Sequence, residues 1–320
     1  MTHAPLVIEG LTRSSSPVST STADVLNRYT YCKNLRDTLY GETSLYMDKE
    51  VKKLVVLKRI SIPLLQQHDD NTDAVSENPL SERAVIQLLK DPLIACAPGR
   101  EYVVEYEREG FFTIGDSVFV AMDFCAGGDL YDYVTAKPSR RVPETEALSH
   151  FAQIAKGLSF LHAIGVAHRD LSLENVLLKD GCVKICDFGL SADAGHFSAD
   201  KVGKFYYMAP EVTQNAVYDP KSADVWSLGV VLFIMLTGSP LFVDEDARAP
   251  TLRVLIKYGV GKILELWGLK QQLSKATINL LASMLQVEPT RRFSAEEVAH
   301  HPILRAMNNC RTLNLSASSA

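Results

Sequence analysis

The segment HRDLSLEN, His168–Asn175, and the later triplet DFG, Asp187–Gly189, decide how this sequence is interpreted. Between them they supply two carboxylates and one amide side chain, those of Asp170, Asn175 and Asp187. Carboxylate and amide oxygens suit a magnesium ion that takes its other ligands from water and phosphate. A carboxylate not bound to metal can accept a proton from a reacting hydroxyl. Because the HRD triplet alone would also fit a buried polar cluster or a helix cap, the surrounding sequence has to decide.

Three further stretches follow in order along the chain: YMAPE at Tyr207–Glu211, DVWSLG at Asp224–Gly229 and PTRRFS at Pro289–Ser294. With the first two stretches they resemble the catalytic loop, metal loop, activation-segment end, central helix and late arginine motif of eukaryotic protein kinases. The resemblance covers about residues 28 to 304 and is strongest to serine/threonine kinases of the calcium/calmodulin-dependent type. It implies an α+β fold of two lobes.

The expected organisation has a small, mostly β N-lobe with one helix and a larger, mostly α C-lobe. We expect the N-lobe at 28–122, the hinge at 123–126 and the C-lobe at 127–304, between a disordered lead at 1–27 and a tail at 305–320. A cleft between such lobes is a common place for a ligand site.

The local patterns agree with this outline. Residues 29–60 are strand-like and interrupted at Gly41, residues 66–78 are polar and predict a loop, and Pro79 predicts a helix start. Strands are predicted at 101–106 and 117–124. The longest apolar stretch, Val225–Leu236, is too short to span a bilayer and predicts a buried core helix.

The resemblance assigns chemistry to individual residues. Asp170 would accept the proton of the attacking hydroxyl, and Asn175 and Asp187 would hold Mg²⁺ against the phosphates of ATP. Lys58, in the strand VVLK, would reach the α- and β-phosphates, and Glu82 would hold it in place. A solvated lysine next to Arg59 is the alternative for Lys58, and Pro79 places Glu82 in the first turn of its helix.

The resemblance also implies a nucleotide pocket between the glycine-rich loop, the strand lysine and the segment that joins the lobes. The backbone of Asp123 and Cys125 would bind the adenine edge, and Asp129 would meet the ribose or a basic substrate residue. The residues expected to bind ATP are Gly41, Thr43, Val56, Lys58, Met122, Asp123, Cys125, Asp129, Leu177 and Asp187.

Three positions depart from the family pattern. The glycine-rich loop has Arg36 and Thr38 where glycines are usual and keeps only Gly41, which predicts weak nucleotide binding or a differently shaped loop. Ser172 stands where serine/threonine kinases carry a lysine for the γ-phosphate. Lys204 stands where a threonine usually bonds the catalytic aspartate, so we hypothesise that it supplies the charge missing at Ser172.

Two long-range ion pairs are expected from the same resemblance. Arg292 would pair with Glu211 at the end of the activation segment. Asp200 lies where many relatives carry a phosphorylated residue, so a fixed carboxylate there could pair with Arg169 without modification. Activity independent of loop phosphorylation is therefore expected.

Composition narrows the remaining possibilities. The net charge of −5 and the short basic runs do not indicate nucleic-acid binding. The six cysteines form no Cys-x-x-Cys pair, so free thiols and a cytoplasmic location, with the nucleus as an option, are expected. Protein substrates and no membrane insertion are expected, and the oligomeric state stays open. The alternatives are a pseudokinase that binds partners and, less favoured, a small-molecule kinase.

Overall fold

The computed structural model describes residues 27–71, 77–214, 217–242 and 244–305. The predicted disordered lead and tail lie outside these residues, apart from Asn27 and Arg305. The described chain divides into two compact units: the first comprises 27–71 with 105–124, and the second comprises 77–104 with 125–305.

The first unit is built on one antiparallel sheet of five strands in the order β1-β2-β3-β5-β4, followed along the chain from β3 by one helix. The alternating apolar residues of β3 bury both faces of the sheet, as the period of two along a strand requires. Val55 and Leu57 pack with Phe119 on one face, and Ile60 packs with Val118 on the other. The elements are β1 Tyr29–Thr38, β2 Gly41–Asp48, β3 Lys53–Ser61, α1 Ile62–Asn71, β4 Tyr106–Ile114 and β5 Ser117–Asp123.

The second unit is mostly helical and contains two short antiparallel ribbons, β6 with β9 and β7 with β8. Its helices are α2 Pro79–Leu89, α3 Leu130–Thr135, α4 Glu144–Ala163, α5 Pro220–Thr237, α6 Glu245–Tyr258, α7 Val260–Leu266, α8 Lys275–Met284 and α9 Ala295–Ala299. Its strands are β6 Val166–Ala167, β7 Val176–Lys179, β8 Cys182–Ile185 and β9 Ala192–Asp193. The β-rich first unit and the helix-rich second unit agree with the predicted α+β class.

Helix α5 is the central core helix that the apolar stretch predicts. Asp219 caps its first turn by accepting a hydrogen bond from the Lys221 N–H, Pro220 occupies the start of the helix, and Gly238 ends it in the left-handed conformation. By length and composition alone α5 could cross a membrane, but 83% of it is buried inside the protein. The burial is that of a core helix.

Two local predictions are wrong. The polar run after β3 continues α1 to Asn71, because Leu65 enters the core and the His68 ring packs against Tyr40. The strand predicted at 101–106 is instead a short 3-10 turn followed by β4. Within β4, Gly110 lies where the register shifts, and its closeness to the backbone of Glu107 is typical of a bulge.

The unit boundaries also differ from the predicted lobes, because residues 77–104 group with the second unit. Backbone hydrogen bonds explain this grouping. The Asn78 N–H donates to the Gly189 carbonyl over 2.7 Å, and the Val104 N–H donates to the Ile185 carbonyl over 2.9 Å. Helix α2 is therefore tied at its start to the DFG triplet.

Candidate active site

The catalytic loop, His168–Asn175, is anchored by one buried carboxylate from the start of α5. Asp224 is 1% exposed and accepts the backbone N–H groups of His168 and Arg169, each over 2.7 Å. His162 Nε2 lies 2.9 Å from the same carboxylate. A buried carboxylate is tolerable only when its oxygens are bonded, so these contacts hold the loop and stabilise Asp224 together.

The histidine of the loop belongs to the core. His168 is fully buried, its Nε2 lies 3.0 Å from the Cys186 carbonyl oxygen, and its ring packs against Phe188. These contacts hold the residues on both sides of Asp187. Arg169 and Asp187 both adopt positive φ, at 64° and 68°, which costs a non-glycine residue about 1–3 kcal/mol. Such strain persists where the surroundings impose it, and it is common at functional sites.

The second unit brings the three predicted chemical residues into one place. Asn175 Nδ2 donates to the carbonyl and to Oδ2 of Asp170, both over 2.8 Å, which leaves Oδ1 as the acceptor atom of this amide. The Cys186 N–H donates to the Asn175 carbonyl, so Asn175 and Asp187 lie at the same end of the β7–β8 ribbon. One amide oxygen and one carboxylate form a donor set that fits Mg²⁺.

A lysine from the activation segment contacts the Asp170 carboxylate. The Lys204 backbone N–H donates to Oδ1 over 3.0 Å, and its Nζ lies 2.6 Å from Oδ2. The same ammonium donates to Ser172 Oγ over 3.2 Å. Gly203 permits this approach, because it has φ of 93° and a Cβ there would lie 2.6 Å from the Arg169 carbonyl oxygen. The predicted closeness of Lys204 to Asp170 and Ser172 is confirmed.

Arg169 holds the activation segment through the predicted fixed carboxylate. Its Nη1 lies 2.7 Å from Asp200 Oδ2 and 3.0 Å from Ser198 Oγ, while its Nε donates to the Leu190 carbonyl over 2.6 Å. Tyr218 adds a further tie by donating its hydroxyl to the Asp200 carbonyl. Burial raises the pKa of Tyr218, so the phenol keeps the proton that it donates.

The end of the segment is fixed by a buried arginine, as predicted. Arg292 forms two parallel hydrogen bonds to Glu211, of 2.5 and 2.7 Å, and also donates to the Gln286 and Ser222 carbonyls. Its guanidinium lies over the Trp226 ring. This geometry is the bidentate pairing in which an arginine differs most from a lysine.

In the first unit, four of the residues predicted to bind ATP share one face of the sheet. Thr43 pairs with Lys58 between β2 and β3, and Val56 pairs with Met122 between β3 and β5. Directly paired residues point to the same side, and so do residues two apart on a strand. Lys58 is only 6% exposed, which excludes the solvated alternative. Its role toward phosphate stays a prediction.

Asp123 occupies the opposite face, because it pairs with Val55. Its carboxylate lies 2.9 Å from Lys53 Nζ, and its backbone N–H donates to the Glu105 carbonyl. The backbone carbonyl of Asp123 is therefore the group that still suits the predicted adenine contact.

The β1–β2 hairpin differs from an open phosphate loop. Thr38 pairs with Gly41 across a tight turn, and Arg36 pairs with Thr43, so the altered positions lie inside the ladder. Tyr40 in the turn is buried in the cluster around Ile60, Leu65 and Val118. A Cβ on Gly41 would lie 2.1 Å from the Arg59 carbonyl oxygen, so close packing within the sheet already requires this glycine.

The remaining predicted residues lie in the second unit. Glu82 is fully buried in the first turn of α2, whose N-cap is Asn78, as Pro79 predicts. Its pairing with Lys58 of the first unit stays a prediction. Asp129 caps α3 by accepting the Asp132 N–H, and it is bridged to Leu177 on β7. Cys125 is buried, and its carbonyl accepts the Gly128 N–H.

One arginine that holds the activation segment was not predicted from the sequence. Arg248 of α6 is 7% exposed and donates to the carbonyls of Met208 and Ala209 over 2.7 and 3.2 Å. Its guanidinium also lies over the rings of Phe205 and Phe242. Arg248 thus helps to hold the stretch before Glu211. No local pattern marks it, because its partners are backbone carbonyls far away in sequence.

Comparison with known proteins places these observations in a family. The protein kinase domain model matches residues 33–304. Serine/threonine-protein kinase SRK2I of Arabidopsis thaliana is 32% identical over 302 residues, which are 89% of this chain and 75% of the relative. Calcium-dependent protein kinase 2 of Oryza sativa subsp. japonica is 33% identical over 288 residues, which are 88% of this chain and 52% of the relative.

A third similar protein is the SNF-related serine/threonine-protein kinase of Homo sapiens, 35% identical over 196 residues, which are 60% of this chain and 24% of the relative. The chain spans 12%, 52% and 75% of the first three relatives' lengths.

Proposed function

Because this chain belongs to the protein kinase family, we propose that it transfers the γ-phosphoryl group of Mg-ATP to serine or threonine hydroxyls of protein substrates. The observation that carries the proposal is the arrangement around Asp170. Its carboxylate is held by the Asn175 amide, and the Asn175 carbonyl accepts a hydrogen bond from the N–H of Cys186, the residue before Asp187. These contacts support a role as base for Asp170 and as metal-type oxygen donors for Asn175 and Asp187.

Each residue has one task in this reaction. Asp170 accepts the proton of the attacking hydroxyl, since its carboxylate is only partly buried and is held at two oxygens by hydrogen bonds. Asn175 and Asp187 would hold Mg²⁺, which neutralises phosphate charge when it is bound. His168 and Phe188 take no part in proton transfer. They hold the loops that carry Asp170 and Asp187.

The choice of a protein acceptor rests on the activation segment. Its stretch from Tyr207 to Glu211 is held by Arg292, by Arg248 and by the Ser227 hydroxyl, which donates to the Tyr207 carbonyl. These contacts hold the largely buried stretch in one conformation, which suits the docking of an extended peptide beside it better than that of a small molecule. Serine and threonine are favoured as acceptors because the similar proteins are named serine/threonine-protein kinases.

The β1–β2 hairpin favours a second candidate, a kinase-fold module that binds partners without turnover. With Arg36 and Thr38 inside the ladder and Tyr40 buried, the hairpin offers less open backbone to phosphate than glycines would. The two candidates differ in one measurable respect. Replacement of Asp170 lowers the amount of phosphorylated product only if the protein is an active kinase.

Transfer of labelled phosphate from ATP to a degenerate peptide library separates them. We expect incorporation into serine and threonine by the wild type and loss of about a thousandfold in Asp170→Ala and Asp187→Ala. The exposed residue Asp246 provides a matched control, because Asp246→Ala should leave incorporation unchanged. Equal signal from the wild type and both active-site variants would leave only the binding module.

A further inference from the structure

Two departures from the family pattern meet in space. Ser172 is fully buried in the catalytic loop, and Lys204 reaches it from the activation segment with Nζ 3.2 Å from Ser172 Oγ. The same ammonium lies 2.6 Å from Asp170 Oδ2. A serine therefore occupies the position where the loop would carry a cation, and the cation beside that serine comes from another segment of the chain.

The nearby arginine does not supply this charge. The Arg169 guanidinium is engaged by Asp200, Ser198 and the Leu190 carbonyl, which hold it toward the activation segment. The Asp170 carboxylate instead forms an ion pair with Lys204. Phosphoryl transfer spreads negative charge over the moving group, and a fixed positive charge beside the base stabilises that state.

A purely structural role explains Lys204 less well. An ion pair whose lysine is 37% exposed contributes about 0–1 kcal/mol to stability. The segment is already tied at this point by the Lys204 backbone N–H to Asp170 Oδ1 and by the close contact of Gly203 with the Arg169 carbonyl. The side chain therefore adds a positive charge beside Asp170 and Ser172, on a backbone that other contacts already hold.

We propose that Lys204 is a catalytic residue whose ammonium binds the γ-phosphoryl group during transfer. The small side chain of Ser172 makes room for this ammonium, and its hydroxyl oxygen accepts a hydrogen bond from it. The substrate hydroxyl oxygen forms a bond to the γ-phosphorus, and the bond from the γ-phosphorus to the bridging oxygen breaks. The hydroxyl proton goes to Asp170, ADP leaves with the bonding electron pair, and Lys204 keeps its protons throughout. This inference rests on the proposed kinase activity.

Side-chain substitutions at Lys204 test the charge while they keep the backbone N–H bond to Asp170. Lys204→Met removes the ammonium and keeps most of the stem, and we expect kcat to fall about a hundredfold while KM for ATP and peptide changes less than about threefold. Lys204→Arg should lose less than about tenfold, because it retains a cation. Lys201→Met, at an exposed lysine of the same segment, is the matched control and should behave as the wild type.

The exchange variant tests whether the two positions act as one unit. Ser172→Lys combined with Lys204→Thr should regain at least about tenfold in kcat over Lys204→Thr alone, a coupling typical of residues that share one task. Thermal melting of each variant checks folding. If the exchange variant does not fold, Lys204→Arg against Lys204→Met decides, since equal losses would contradict a role for charge.

The outcomes separate this inference from the proposed function. An active wild type with Lys204→Met within about threefold in kcat overturns the inference alone. So does an exchange variant that folds and is no better than Lys204→Thr. A wild type as inactive as Asp170→Ala removes the kinase activity and the role of Lys204 with it.

Discussion

The catalytic loop of the second unit and the β1–β2 hairpin of the first unit contrast in what holds them. In the catalytic loop, Asp170 and Arg169 are tied to segments far away in sequence, by Lys204, Asp224 and Asp200. In the hairpin, Gly41 packs against the neighbouring strand β3, and Tyr40 packs against the sheet and the adjoining helix α1.

The contrast indicates where a change of sequence is tolerated. Residues close to the reacting atoms are fixed by several partners. A serine in place of the usual lysine at Ser172 is therefore accompanied by a lysine in place of the usual threonine at Lys204. A loop that contacts phosphate through its backbone can change its side chains, provided that its strands stay paired. We therefore expect substitutions in the second unit to have large effects on stability and activity, and substitutions in the hairpin to have small ones.

The largest of these effects concerns stability at the Arg292–Glu211 pair. Arg292→Ala leaves a carboxylate that is 12% exposed without its bidentate partner and removes bonds to three backbone carbonyls. We expect a loss of about 3 kcal/mol in the free energy of unfolding, measured by urea denaturation. The exposed neighbour in Arg291→Ala should change it by less than about 0.5 kcal/mol. Equal values for the two variants would contradict the importance of the buried pair.

A smaller effect is expected at the Arg169–Asp200 pair. Because Asp200 supplies a permanent carboxylate, phosphatase treatment should leave the activity of the wild type unchanged. Asp200→Ala should lower kcat about tenfold, the equivalent of one hydrogen bond to a charged group. Asp193→Ala, at an exposed carboxylate of the same segment, is the control. Loss of wild-type activity on dephosphorylation would show that a modified residue does the work assigned to Asp200.

The smallest effect is expected in the hairpin. Arg36→Gly with Thr38→Gly removes two side chains and should lower KM for ATP about threefold without changing kcat. Each glycine inside the ladder should also cost about 0.5–1 kcal/mol of stability. Lys33→Gly in the same strand carries a similar backbone cost and should not change KM. A hundredfold rise in kcat from the double glycine variant would instead place the rate-limiting defect in the hairpin and reverse the contrast.

Much of the fold was accessible from the sequence, because its signals are local or ordered along the chain. The alternation in β3, the apolar stretch in α5 and the order of the motifs all predict what the structure contains. Local reasoning went wrong where tertiary contacts decide. Leu65 turns a polar run into a helix by entering the core, and a bulge lets β4 pass through Gly110.

The candidate site divides in the same way. The pairs Arg292–Glu211, Arg169–Asp200 and Lys204–Asp170 were predictable because the motifs place each partner. Arg248 and the burial of Tyr40 were not predictable. Both depend on contacts between segments that no short pattern records.

The most direct test of the account measures phosphopeptide formation by mass spectrometry at saturating Mg-ATP for the wild type and Asp170→Asn. Asparagine keeps the size of the side chain and a carbonyl oxygen but cannot accept the hydroxyl proton at neutral pH. The account predicts phosphoserine or phosphothreonine from the wild type and a rate lower by about a thousandfold from Asp170→Asn. Equal rates from two folded proteins would contradict it.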